Sequence, residues 1–220
     1  MAADPTRSSV LPPTISSYIA ARIAPPDQVL VDLKDRTAQL GRAAGMQISA
    51  DQGALLTLLT RLVGVDRAVE VGTFTGYSSI CIARGLRPGG HLLCCDVNED
   101  YTAIARDAWA AAGLDDRIEL RLAPAVETLR SLPSEPTIDL AFIDADKGGY
   151  ASYYRELVPR VRSGGLLLVD NTLWSGRVVD PRSESDRFIT GFNDVARNDP
   201  RVELVILPIA DGLTMARRLP

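Results

Sequence analysis

With 220 residues, 46% of them hydrophobic, the chain has the length of one domain and enough apolar side chains to fill a continuous core. A formal net charge of −4, with Lys and Arg scattered among acids, excludes the basic stripe that nucleic acid demands. Cys81, Cys94 and Cys95 are an odd number without zinc-site spacing, which suits a reducing cytoplasm, and no apolar run reaches the roughly 20 residues of a membrane span.

The first 13 residues, MAADPTRSSVLPP, read as a flexible lead-in with neither the apolar core nor the cleavage pattern of a signal peptide. The spacing predicts a helix from Thr14 to before the Pro25–Pro26 pair. A second is predicted from Asp27 to about Ala44, with Val29, Leu33, Leu40 and Ala44 on one face and Gly45 to end it. The Ser and Asp of SADQ are start signals for a third helix, whose apolar positions run from Leu55 to Val63. Residues 14–66 are thus expected to form a helical cap on a single domain spanning 1–220.

From Arg67 onward short apolar runs, AVEV, HLLCCD, RIELRL, IDLAFID, GLLLVD, VELVILP and LTMARR, replace that pattern. Segments long enough for crossover helices separate the first five, which predicts an α/β fold with a doubly wound parallel sheet. PIADG, between the last two runs, is too short for a helix and predicts a closing antiparallel hairpin.

AVEVGTFTGYSS places Gly72 and Gly76 after the first run, where an open α/β sheet binds ligands. Glycines there let a ligand approach the backbone, and Ser78 and Ser79 offer hydroxyls and amides at a helix start. The spacing is GxxxG, not the GxGxxG of a dinucleotide site. Glu70 puts a carboxylate in this loop, repelling a pyrophosphate but tolerating a cation, so a sulfonium cofactor is favoured over NAD. Asp96, ending the second run, can accept hydrogen bonds from both hydroxyls of a ribose.

FIDADK ends the fourth run with Asp144, Asp146 and Lys147, and LLLVDN ends the fifth with Asp170 and Asn171. The hard oxygens of Asp144, Asp170 and Asn171 suit Mg²⁺, or else Ca²⁺ or Mn²⁺, better than zinc. The plainer alternative is that these side chains cap the following helices. Such a cation would chelate neighbouring oxygens of an acceptor and favour ionisation of its hydroxyl, with Lys147 a candidate general base or, more simply, a solvated loop lysine.

Together VEVGTFTGYSS, CCDVNEDY, FIDADKGGY, LLLVDNTLW and IADGLTMARR resemble the cation-dependent O-methyltransferases typified by the caffeoyl-CoA and catechol enzymes, over about four-fifths of the chain. The resemblance implies a Rossmann-like methyltransferase domain with a mostly parallel seven-stranded sheet, and usually a homodimer. It implies Asp144, Asp170 and Asn171 as metal ligands, Asp144 also near the acceptor, and Lys147 as base. Contacts to S-adenosyl-L-methionine are implied for Ile48, Glu70, Gly72, Thr73, Ser78, Asp96 on the ribose, Ala125 by the adenine and Asp146 near the methionine part. The chain departs from its relatives at Ala123-Pro124-Ala125, where Gly-x-Ala is common, and at Ile48, where plant members carry Thr. The expected reaction is methyl transfer to a hydroxyl of a small catechol-like or caffeoyl-type phenol, with no nucleic-acid or membrane partner.

Trp174 is a candidate wall for an aromatic acceptor, or ordinary packing. Trp109 and Tyr150, Tyr153 and Tyr154 read first as packing residues, and His91 as a structural or solvated imidazole. The competing functions are a nicotinamide-dependent oxidoreductase on a similar fold, against which GxxxG and Glu70 argue, and a non-catalytic S-adenosylmethionine-binding domain, against which the complete Asp144, Lys147, Asp170, Asn171 set argues. Methylation of nucleic acid or protein is disfavoured by the missing NPPY or DPPY motif.

Overall fold

The structure is a computed structural model and describes residues 11–220. The flexible lead-in expected over 1–13 lies outside the described residues as far as residue 10. Pro13 already opens helix α1 (Pro13–Ala20), at a position whose N–H needs no helical partner. Helix α2 (Gln28–Ala38) begins at Asp27, whose carboxylate accepts from the Leu30 N–H at 3.2 Å. It stops well before Ala44, correcting the sequence expectation. Gly41, with φ +62°, turns the chain before Gly45 can, and Gly41–Met46 continues as a 3₁₀ helix. Helix α3 (Ala50–Val63) starts after Ser49 as expected, although that hydroxyl makes no capping bond, and ends at Gly64 in the left-handed conformation.

Beyond it, strands and helices alternate as β1 (Arg67–Val71), α4 (Tyr77–Gly85), β2 (His91–Asp96), α5 (Glu99–Ala111), β3 (Ile118–Leu122), α6 (Ala125–Ser131), β4 (Ile138–Ile143), α7 (Tyr150–Leu157) and β5 (Val161–Val169). Helix α8 (Glu184–Arg197) and the pair β6 (Val202–Leu207) and β7 (Leu213–Arg218) complete the domain. The seven-stranded sheet has the order β3-β2-β1-β4-β5-β7-β6, parallel except for β7, which runs antiparallel to both β5 and β6. PIADG is indeed the hairpin connection, and Leu207 pairs with Leu213 across it.

Two-residue alternation along the strands divides the core between the faces of the sheet. Ala68, Leu92, Cys94, Leu140 and Phe142 pack with Leu56, Ile80, Ala105 and Trp109 from α3, α4 and α5. Val69, Val71, Cys95, Ala141 and Ile143 pack with Leu129, Tyr150, Tyr154 and Phe192 from α6, α7 and α8. Cys94 and Cys95 therefore face opposite layers; all three cysteines are buried and unbridged, and burial pushes their thiols upward in pKa, which leaves them inert. Among the described residues no helix is long and apolar enough to cross a membrane.

Strand order reverses between β1 and β4, so the helices that follow these two strands leave on opposite faces and open a crevice at their carboxyl ends. Gly72, Asp96, Asp144, Lys147, Asp170 and Asn171, singled out in the sequence, converge on that crevice.

Candidate active site

At the end of β1 the chain turns so close to β4 that only glycine fits: Gly72 has φ +90°, and a Cβ there would stand 1.9 Å from the Asp144 carbonyl oxygen. The Gly72 N–H donates to the Cys95 carbonyl at 2.9 Å. Asp96 Oδ2 accepts from the N–H groups of Thr73 and Phe74, both at 2.9 Å, and Oδ1 from those of Val97 and Asn98 at 2.7 and 2.8 Å. Four amides thus occupy a carboxylate that has about four acceptor positions. Asp96 lies half-buried on the cavity wall, where its carboxylate, bonded by these four amides, fastens the glycine loop to β2.

Glu70 is not in the loop, as its spacing suggested, but inside β1 and fully buried. The strand's alternation aims it away from Val69 and Val71 and toward Cys94, whose thiol donates to Oε2 at 3.3 Å. Oε1 has no hydrogen-bond partner among the described residues. Burial pushes this carboxyl up to about 8, partly opposed by the nearby Ser78 and Cys94 side chains.

Asp144 follows β4, and Asp170 and Asn171 follow β5 one strand away; the backbone steps across, Asp144 N–H to the Val71 carbonyl and Asp170 N–H to the Ile143 carbonyl, both at 2.9 Å. Lys147 Nζ lies among the side chains, 3.3 Å from Asp144 Oδ1 and 2.5 Å from Asn171 Oδ1. Burial raises both carboxyls, Asp170 to about 7 with the Asp144 charge adding, while Lys147 pulls Asp144 back. Two buried carboxylates resist ionising together, so the cluster favours positive charge, and the ammonium already stands in for it. Among the described residues no set of three or more His, Cys, Asp or Glu side chains is grouped for a metal ion, so a cation here would rest on two carboxylates and a carboxamide.

The third partner of Lys147 is Tyr150, whose hydroxyl oxygen accepts at 2.6 Å and whose proton points to the Asp170 carbonyl at 3.1 Å. Tyr150 is fully buried, edge-on to Phe192 with centroids 5.7 Å apart, and burial holds its phenol well above the usual range, hence protonated. The three ammonium protons are therefore all directed, and Nζ has a fixed place. Asp146 caps the short turn Lys147–Gly149, accepting from Gly149 N–H at 2.9 Å and from the Tyr153 hydroxyl at 2.5 Å.

A cavity of about 1050 Å³ joins the glycine loop to this cluster, ample for two small molecules side by side. Ile48, Gly72, Thr73, Ser78, Asp96, Ala125, Asp144, Asp146, Lys147, Asp170, Asn171 and Trp174 all line it; Glu70 lies behind its wall. Trp174 closes the cluster end, with its ring 5.6 Å from Lys147 Nζ and its Nε1 donating to Asp186 Oδ1 at 2.9 Å.

Residues 20–219 of this chain match the family profile described as O-methyltransferase. The chain belongs to the O-methyltransferase family. It is 36% identical over 185 residues to caffeoyl-CoA O-methyltransferase 1 of Eucalyptus globulus, covering 79% of this chain and 75% of that protein. Its fold is shared with the O-methyltransferase of Bacillus cereus in complex with SAH, at a TM-score of 0.85 and 31% identity over 93% of this chain and 97% of the other. The O-methyltransferase TomG of Streptomyces achromogenes, involved in tomaymycin synthesis and in complex with SAM, has a TM-score of 0.85 and 27% identity over 94% and 97%.

Several residues of this O-methyltransferase are visible only in three dimensions. Tyr150 and Tyr153 look like helix packing in sequence, and they are, but their hydroxyls serve Lys147 and Asp146. Asp186 belongs to a capping box at the start of α8, a signal legible in SESD, yet the same carboxylate anchors Trp174. Asp211, in the β6–β7 connection, accepts from Ser175 N–H at 2.5 Å. The non-glycine residues with positive φ, Phe74, Asn171, Trp174, Ser175 and Ala210, all line the cavity. Strain of this kind gathers where a site over-determines the backbone.

Proposed function

We propose that this O-methyltransferase transfers the methyl group of S-adenosylmethionine to a hydroxyl of a small catechol-like or caffeoyl-type acceptor, with a divalent cation held by Asp144, Asp170 and Asn171. The observation that carries this reading is the Lys147 ammonium set between Asp144 and Asn171 at the end of a cavity that begins at the glycine loop. The SAH and SAM complexes of the two structural neighbours support the donor, and the name of the plant relative supports the acceptor class.

Two carboxylates and a carboxamide suit a hard cation, and the Lys147 nitrogen held among them supports a positive charge at this place. When bound there, Mg²⁺, or Mn²⁺ or Ca²⁺, supplies Lewis acidity to an acceptor oxygen. The rest belongs to the chain. Lys147 Nζ receives the hydroxyl proton, and Tyr150 keeps that nitrogen in place. Gly72, Thr73, Ser78 and Asp96 seat the donor so that its methyl faces the same point, and Trp174 lies against the acceptor ring. The transfer is then a direct displacement, the O–C bond forming as the C–S bond breaks with its electron pair going to sulfur; positioning supplies much of the acceleration. A homodimer and a cytoplasmic setting complete this reading.

The decisive assay is transfer of labelled methyl from S-adenosylmethionine to a catechol panel that includes caffeoyl derivatives, with Mg²⁺ and with EDTA. Product that forms only with the metal, and is lost in Asp170→Ala, is the expected result; catechols left unmethylated with every divalent ion would overturn the acceptor class.

A further inference from the structure

Gln52 enters none of the roles above. It lies in the first turn of α3, is fully buried, and lines the cavity. Neither its Nε2 nor its Oε1 has a hydrogen-bond partner among the described residues. Burying an amide without partners forfeits its hydration with nothing in return, and a leucine or methionine would fill the same volume without that cost. The carboxamide lies beside Asp170 on the wall of the same cavity, though short of a hydrogen bond of normal geometry. Among the described residues the Asp170 carboxylate accepts a single bond of normal geometry, from the Asn171 N–H at 2.7 Å to Oδ1.

Asp170 is acceptor-only when ionised, so of the two halves of the Gln52 amide it is the NH₂ that matches it. Asn171 N–H fixes one edge of the carboxylate from the adjoining residue; a donor arriving from α3 fixes the rotation that a single bond leaves free. Resting on the reading that Asp144, Asp170 and Asn171 hold a divalent cation, we propose that Gln52 is a positioning residue of that site: its amide N–H₂ orients Asp170 so that a carboxylate oxygen faces Asp144 and Asn171. It thereby ties α3 to a cluster otherwise built on β4 and β5. Outer partners of this kind are worth roughly 10- to 100-fold in metal affinity.

The test is Mn²⁺ binding to the purified full chain, read by electron paramagnetic resonance of the free ion, with SAH binding by calorimetry on the same samples and without any turnover. Gln52→Leu, which keeps the volume and removes both polar atoms, is expected to weaken Mn²⁺ by tenfold or more and to leave SAH affinity within about twofold. Gln52→Glu, which adds a third carboxylate beside the cluster, is expected to bind Mn²⁺ at least as tightly as the unaltered protein. If Gln52→Leu does not fold, Gln52→Glu decides alone, since Mn²⁺ bound clearly more weakly than by the parent overturns the proposal. Mn²⁺ affinity unmoved in Gln52→Leu, or a loss confined to SAH, overturns it too and leaves the cation site standing. An unaltered protein that binds no Mn²⁺ overturns the cation reading itself.

Discussion

Lys147 illustrates how a side chain acquires a role from its neighbours and not from its type. Its three hydrogen bonds, to Asp144, Tyr150 and Asn171, draw on three different segments of the chain. Lys147→Met keeps the stem and removes the nitrogen; kcat is expected to fall by about 10²- to 10⁴-fold with SAH affinity unchanged, measured by single-turnover methyl transfer and calorimetry. Glu70 gives a prediction in pH. Its folded pKa of about 8 lies above the ordinary 4.5, so the folded state keeps a proton that the unfolded chain releases. Its contribution to stability is therefore greatest below pH 4.5 and declines as pH rises toward 8. Urea midpoints followed across that window are expected to fall less steeply in Glu70→Gln than in the parent, and parallel curves would show that Glu70 is ionised in the fold. The candidate ligands were legible in sequence because strand-end Asp and Asn fall at fixed places in DADK and DNTLW. The depth of Glu70 was not, because one residue of register decides whether a side chain meets a loop or the interior.

At the level of elements, the turn after β5 is held from two sides. Asp186 of α8 takes the Trp174 indole, and the β6–β7 connection takes the backbone: Thr172 N–H donates to Gly212, Leu173 N–H to the Asp211 carbonyl, and Ser175 N–H to the Asp211 carboxylate. Trp174, Ser175 and Gly176 all have positive φ, a sequence of conformations that does not persist without such support. Asp211→Ala removes one charged hydrogen bond, worth about 1.5–3 kcal/mol, and is expected to raise the acceptor KM about tenfold while SAH binds as before. An unchanged KM in steady-state assays would mean that Asp186 alone keeps the indole in place. The alternation of strand and helix was readable from periodicity, and so was the PIADG hairpin, because short apolar runs and Asp-Gly have few other uses. The early end of α2 was not, because apolar spacing through Leu40 and Ala44 continues past a glycine that turns the backbone. The docking of the β6–β7 connection on the Trp174 turn depends on β7 lying between β5 and β6, which no local pattern encodes.

For the molecule as a whole, the crevice at the β1–β4 reversal means that one cavity is lined by loops after β1, β2, β4 and β5 and by the start of α3 together. SAH at a hundredfold excess over its Kd should therefore stabilise the entire domain by about 2.7 kcal/mol, an increase in Tm of roughly 5–10 °C, read by differential scanning calorimetry. A chain that melts at the same temperature with and without SAH would lack the donor site. The five left-handed residues around the cavity also bear on how such an enzyme can adapt to heat. Each holds of the order of 1–3 kcal/mol of strain, least at Asn171, since Asn enters this region readily. Ala210 contributes no functional group to the chemistry, yet it is kept in a backbone shape that glycine would adopt freely. The easiest gains in thermal stability thus lie in the cavity wall, and a lineage under heat would be pressed to soften the very contour of its candidate active site.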